Sequence, residues 1–471
     1  MRHSHLRFKN ASSDPVYKQA LENSILGYNE YHTLDKIKNW IQYNKERTDV
    51  HIEHKRFSQL EQWFYNEAMG SICHKSGGFF RIDGISVQTN YGAVTSWEQP
   101  IINQPEIGFL GILVKNIKGT LHFLLQAKIE PGNINHVQIS PTLQATKSNF
   151  LRKHKGLVPR YLDYFQDPFK MIILDQLQSE QGARFLRKRN RNIIIYVEDN
   201  IEVYENFCWM TLNQIKQLTK MNNTINMDTR TVLSGIQYIN IFDDLTSRKL
   251  QRFELDILHS EKSNFSLYSQ EQLISWLTNL KSTFELSILK KPLYEVNNWV
   301  YTDEKIAHKS GRYFEIIPIR VVIPNREVTS WDQPLIKPCQ PGICAFFIKK
   351  FQGVYHFLVQ AKLECGNFDV LELAPTIQCI TGSYKDGDVP YVQDLEKALQ
   401  QRKGIRLDVF QSEEGGRFFG EQNRNLIIEV DDTFQEIENP RYIWMSLGQL
   451  KNFIQYNNYV NIQARTLLAQ L

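Results

Sequence analysis

A chain of 471 residues, 42% hydrophobic and 23% charged, has the make-up of a soluble globular protein with ample material for buried cores. Its formal charge of +4 is too small for that length to argue for nucleic acid or an anionic membrane surface as partner. No apolar run approaches the roughly 18 residues a membrane span requires, and the six cysteines form no CxxC pair and no zinc-like spacing, so they read as reduced thiols of a cytoplasmic protein.

In chain order, Met1 to Ser13 is polar and carries no secretory pattern. Leu34 to Lys45 has the spacing of an amphipathic helix. A strand-rich middle follows, with turn residues between short apolar runs. Thr211-x-x-Gln214, flanked by Met210 and Ile215, predicts a helix start with capping box and hydrophobic staple, and a last helix follows Asn226. The pattern then repeats. A helix is predicted from Ser269-x-x-Gln272, and Ser446-x-x-Gln449 with Met445 and Leu450 matches the earlier cap. A final helix follows Asn461.

The repetition is a tandem duplication. His74-Lys75-Ser76-Gly77 recurs as His308-Lys309-Ser310-Gly311, and the offset of 234 holds without a gap from 74–150 onto 308–384, with 30 of the 77 pairs identical. Two copies of this size are each a domain, not solenoid units. Residues 1–245 are assigned to the first and 246–471 to the second, with the join in the polar stretch Asp243 to Ser266. Each copy reads as mixed α and β, an α+β class.

The strand Gly119 to Glu130 and its copy Gly353 to Glu364 anchor the functional reading. Alternation splits each into two rows. The apolar row is identical at two of five places, but His122, Leu124, Gln126, Lys128, Glu130 match His356, Leu358, Gln360, Lys362, Glu364 at all five. A pocket lining explains that repetition; the alternatives are an ordinary sheet face and, for Lys and Glu, a buried ion pair. Other polar groups recur in register. They are Asn133 and Asn367, Thr142-x-Gln144 and Thr376-x-Gln378, and Trp97 and Trp331 within Val-Thr-Ser-Trp-x-Gln-Pro. Each Trp suits either a nucleobase or a core. Arg184, Lys188, Arg189 and Arg191 gather four cations within eight positions, of which the second copy keeps Arg417 and Arg424. They read as a phosphate cradle or as a solvated basic turn. The adjacent Gly182 would let backbone approach a ligand closely.

No GxGxxG after a strand, P-loop, HExxH or GxSxG is present. Glu413-Glu414 are adjacent and would diverge on a strand, so no metal site is expected.

The runs Gln126-Ala127-Lys128-x-Glu130-Pro131-Gly132-Asn133, Pro141-Thr142-x-Gln144, Ser179-Glu180-Gln181-Gly182, Lys188-Arg189-Asn190-Arg191-Asn192 and Asn226-Met227-Asp228-x-Arg230 resemble the nucleotide-diphosphate-hexose 2,3-dehydratase family. So do Gln411 to Phe418 and Arg465-x-Leu467-Leu468 in the second copy. The resemblance spans nearly the whole chain. It implies two Nudix-like halves, a homodimer, a dTDP-4-keto-6-deoxyhexose as substrate, no cofactor, and a downstream 3-ketoreductase. The Nudix box itself is absent, so hydrolase activity is not implied by the fold. Under the resemblance Glu130 or Glu364 is the base and Lys128 or Lys362 the enolate stabiliser or acid. The Arg184–Arg191 segment, with Arg230 and Arg465, faces the nucleotide sugar. A non-catalytic nucleotide-sugar binding protein and a Nudix-type hydrolase are the competing readings.

Overall fold

The computed structural model describes residues 14–147, 158–167, 171–238, 241, 250–324, 329–380 and 389–471. Part of the expected join, 243–249, lies outside them. Within that join a helix forms instead, Arg252–Lys262, which packs on the second copy's central strand as Pro15–Leu26 packs on the first. The latter begins with Pro at N1 after an Asp14 cap. Neither helix is among the elements expected from the sequence pattern.

Each copy builds one seven-stranded mixed sheet. In the first the order is Met171–Ser179, Arg189–Tyr196, Gly108–Ile117, Thr120–Ile129, Phe207–Met210, with Val137–Ser140 and Leu143–Ala145 appended. Only the pairing of Arg189–Tyr196 with Gly108–Ile117 is parallel. The second copy repeats this order and its parallel pair, Gln422–Glu429 on Gly342–Phe351. The three predicted capping boxes are present, Thr211 with Gln214, Ser446 with Gln449 and Ser269 with Gln272, and the helices expected after Asn226 and Asn461 start there with those residues as N-caps. No helix among the described residues is long and apolar enough to cross a membrane.

The central strand Thr120–Ile129 is covered on both faces. Leu121, Phe123, Leu125 and Ala127 join one core, while Leu124 joins a second with Leu162, Phe165 and Trp209. His122 is fully buried. Its Nε2 accepts from the Tyr31 amide at 3.0 Å and its Nδ1 sits 2.9 Å from the Thr120 carbonyl. His356 does the same with Leu267 and Val354. The recurring histidines therefore pin loops, and what is left for a site is the far end of the polar row, the Lys–Glu pair in both copies and Gln360 in the second.

The copies are interleaved. His51–His54 of the first pairs with Phe314–Val322 of the second, and Leu286–Lys291 of the second pairs with Arg81–Thr89 of the first. Trp63 Nε1 donates to the Asp332 carbonyl (2.7 Å) and Trp299 Nε1 to the Glu98 carbonyl (2.9 Å). The Gly132 amide donates to the Gly415 carbonyl at 2.8 Å, and the Gly366 amide to that of Gly182 at 2.6 Å. These glycines serve the approach of backbone to backbone, not to a ligand. A Cβ at Gly132 would lie 1.7 Å from the Phe418 carbonyl oxygen, and one at Gly366 1.8 Å from that of Phe185.

Gly366→Ala should therefore push the halves apart and lower the urea unfolding midpoint, at a cost of at least about 1–3 kcal/mol. An unchanged midpoint would contradict this contact.

Candidate active site

Two cavities open beside the Lys–Glu ends of the two central strands, of about 880 Å³ in the first copy and about 410 Å³ in the second. The larger is walled by both copies. Lys128, Glu130, Gln144, Lys188, Asn190 and Asp228 come from the first, and Trp331, Glu414 and Arg417 from the second. The smaller holds Gln360, Lys362, Glu364, Thr376 and Gln378, with Gln181 and Arg184 supplied by the first copy. The interleaving produces this exchange: the loop after each Ser-Glu pair reaches into the opposite half.

Residues two apart on one strand share a face, and Lys128 Nζ lies 3.4 Å from Glu130 Oε1. Gln144 Nε2 donates to the same oxygen at 2.8 Å, and Asn226 Nδ2 holds the Gln144 carbonyl at 3.2 Å. In the second copy Gln378 Nε2 donates to Glu364 Oε1 at 2.8 Å and Asn461 Nδ2 holds Gln378 at 2.7 Å. Lys362, however, turns to the Gln378 carbonyl at 3.3 Å. Burial pushes the Glu364 carboxyl above its usual range.

The cavities diverge at their remaining walls. In register, Asp228 of the larger is replaced by Gln463, Glu414 by Gln181 and Lys188 by Glu421. Asp228 sits in the first turn of the helix Met227–Ser234 and is 4% exposed. Burial, then the charges of Glu414, Glu180 and Glu130, hold its carboxyl well above the carboxylate range. Burial likewise raises Glu414, against the pull of Arg417. Burial lowers the Lys188 ammonium, whose Nζ donates to the Glu106 carbonyl.

Several expected site residues lie elsewhere. Strand alternation separates the four-cation segment: Lys188 reaches the larger cavity, while Arg189 lies over the Phe368 ring (4.1 Å) and Arg191 forks onto Asp175 at 2.6 and 2.7 Å. Arg424 forks onto Asp408 in the same way. Arg184 serves the opposite half's cavity and stacks on Phe314. No single cradle of the four forms. Arg230 and Arg465 are fully buried, tying the copies through the Ser412 and Ser179 carbonyls at 2.6 Å each. Asn133 and Asn367 pack against Gly415 and Gly182. Thr142 and Thr376 bind backbone, each accepting a strand amide at 2.9 Å, although Thr376 also lines the smaller cavity. Trp97 bonds Gln99 at 2.9 Å and packs among Ile85, Val87 and Ile101; neither it nor Gln126 lines either of these two cavities, whereas Trp331 lines the larger.

Asp228 and Glu414 were absent from the sequence-derived site. Their signal was available as difference, not identity, between the copies. Among the described residues no group of three or more metal-ligating side chains converges.

A duplicated mixed-sheet fold with a Lys–Glu pair and buried carboxyls in one large cavity is equipped for acid–base chemistry. The family model for NDP-hexose 2,3-dehydratase matches residues 34–236 and 270–471. The chain is 42% identical to the dTDP-4-dehydro-6-deoxy-alpha-D-glucopyranose 2,3-dehydratase of Saccharopolyspora spinosa over 88% of this chain and 86% of that one. It is 39% identical to the protein of that name from Amycolatopsis orientalis (92% and 89%) and 40% to that of Streptomyces violaceoruber (91% and 93%). The chain belongs to the NDP-hexose 2,3-dehydratase family and is a hydro-lyase.

Burial holds three carboxyls high between the copies: Glu180 and Glu372 at about 7 and Glu413 at about 8. Folded values above the unfolded ones mean that the native state binds more protons, so stability is full below the unfolded carboxyl range and is lost as pH rises through about 7 to 8. The melting temperature should fall between pH 5.5 and 8.5; a midpoint that rises over that window would refute the burial of neutral carboxyls.

Proposed function

We propose that the larger cavity is the working site and that it dehydrates a dTDP-4-keto-6-deoxyhexose across C2–C3 without a metal. The observation that carries this is the contrast between the cavities. One joins the Lys128–Glu130 pair to further carboxyls in a space of ligand size, whereas the other has amides at those positions and less than half the volume. The substrate class follows from the relatives' names.

The C4 ketone acidifies the C3 proton. Glu130 removes it, the electron pair passes to O4, and the Lys128 ammonium balances the enolate charge. The enolate then expels the C2 hydroxyl as water, and the resulting enol tautomerises to the 3,4-diketone. Trp331 offers a face for the base, and Lys188 and Arg417 are the cavity's cations for the diphosphate. The smaller cavity is a diverged copy that does not turn over.

The finer architectural expectations join this reading. Each half is Nudix-like, supported by a mixed sheet with one parallel pair. Residues 1–245 and 246–471 are the two repeats, supported by the matched stretches. The homodimer rests on the family resemblance, and a 3-ketoreductase partner on the reactivity of a 1,2-diketone. Six free thiols favour the cytoplasm.

Incubation with dTDP-4-keto-6-deoxyglucose in EDTA should give a product lighter by one water. Glu130→Gln should lower turnover by about 10²–10⁴-fold, and Glu364→Gln by no more than a few-fold. Equal losses, or activity only with added metal, would overturn the assignment.

A further inference from the structure

We propose that Asp228 is the general acid that protonates the departing C2 hydroxyl, with Glu414 of the opposite half as the positioning residue beside it. This rests on the larger cavity being the dehydratase site. The C2 hydroxyl leaves as water only with a proton from a donor, and Glu130, which holds the C3 proton for return to C2, is not that donor.

Asp228 is more than nine-tenths buried and lines the cavity, and among the described residues its carboxyl has no hydrogen-bond or ion-pair partner. An unpaired buried carboxyl is costly unless it is neutral or reserved for a ligand. Glu130, by contrast, already accepts from Lys128 and Gln144. Duplication supplies an internal control. Gln463 occupies the equivalent place in the smaller cavity and Gln181 that of Glu414, so both carboxyls are missing there together, although the Lys–Glu pair of residues is kept.

The charged groups acting on Asp228 are Glu414, Glu180 and Glu130, opposed by Lys128, Arg417 and Arg230; those on Glu414 are Arg417, Lys188 and Lys128, with Glu130, Asp228 and Glu180 against them. After burial, Glu414 is the largest influence holding Asp228 protonated. The step balances. The Asp228 proton goes to the C2 oxygen, the C2–O bond breaks with its electron pair leaving as water, and Asp228 becomes a carboxylate. The proton on Glu130 returns to C2 as the enol tautomerises, and the proton lost from the enol O3–H restores Asp228, so both carboxyls end as they began.

The test is incubation of the full chain with dTDP-4-keto-6-deoxyglucose in D₂O, following dehydration by mass spectrometry and C3 deuterium by NMR. Asp228→Asn should lose about 10²–10⁴-fold in dehydration while recovered substrate gains deuterium at C3, because base and enolate stabiliser are intact. Asp228→Glu should restore part of the rate. Glu414→Gln, which carries the test where Asp228→Asn does not fold, should move the falling alkaline limb of kcat/KM to lower pH, since the neighbouring negative charge is gone. Dehydration by Asp228→Asn within tenfold of wild type overturns the proposal. So does an Asp228→Asn protein that binds dTDP but exchanges no C3 deuterium, or an unmoved limb in Glu414→Gln. Exchange that persists in Glu130→Gln would instead remove the base assignment and leave Asp228 standing.

Discussion

The contact of the Gly132 amide with the Gly415 carbonyl, and its copy between Gly366 and Gly182, sets the geometry of everything around it. At these points backbone lies against backbone with no space for a Cβ, so each half's strand-end turn is seated on the other half's loop. The loop following Gly415 carries Arg417, and Glu414 precedes it, so seating the turn also delivers those side chains to the opposite cavity. Neither cavity is complete in one copy. The exchanged strands His51–His54 and Leu286–Lys291 enforce the same arrangement from the small sheets.

Burying so many ionisable groups between the halves has a large desolvation cost, which the structure meets in two ways. Arg230 and Arg465 are satisfied by carbonyls of the other half. The carboxyls of Glu180 and Glu413 take amide donors from Asn190, and from Gln181 and Asn423. Where a carboxyl lacks such donors, as Asp228 does, it faces a cavity. At one of the diverged positions the change has little structural cost, because Gln181 fills the space that Glu414 fills in the other copy. The smaller cavity keeps the frame of the larger, with its buried Gln378–Glu364 contact, but has Gln463 and Gln181 where the larger has Asp228 and Glu414, and Glu421 where the larger has Lys188.

Much of this was legible in the sequence. The caps at Thr211, Ser269 and Ser446 follow local rules and formed as read. The duplication followed from motifs repeated at an offset of 234, and the Lys128–Glu130 face from period-two alternation. What was not legible is what depends on the partner half. Arg230 and Arg465 look like anion ligands by residue type, and only tertiary placement makes them ties between copies. Arg189 and Arg191 share a short run with Lys188 but point the other way along a strand. The identical histidines were read with the wall of the site, when they bind loop amides. Identity between copies marked the shared frame as much as the chemistry, and the substitutions Asp228 to Gln463 and Glu414 to Gln181 marked what separates the two cavities.

The central claim is that one site is assembled from both halves. A crystal structure of the chain with an unreactive dTDP-6-deoxyhexose tests it most directly. The hexose is expected in the larger cavity, with C3 next to Glu130 and C2–OH next to Asp228, and with Glu414 or Arg417 of the opposite half touching the same ligand. A sugar held only by residues of a single copy, or seated with its C2–C3 bond beside Lys362 and Glu364, would contradict it.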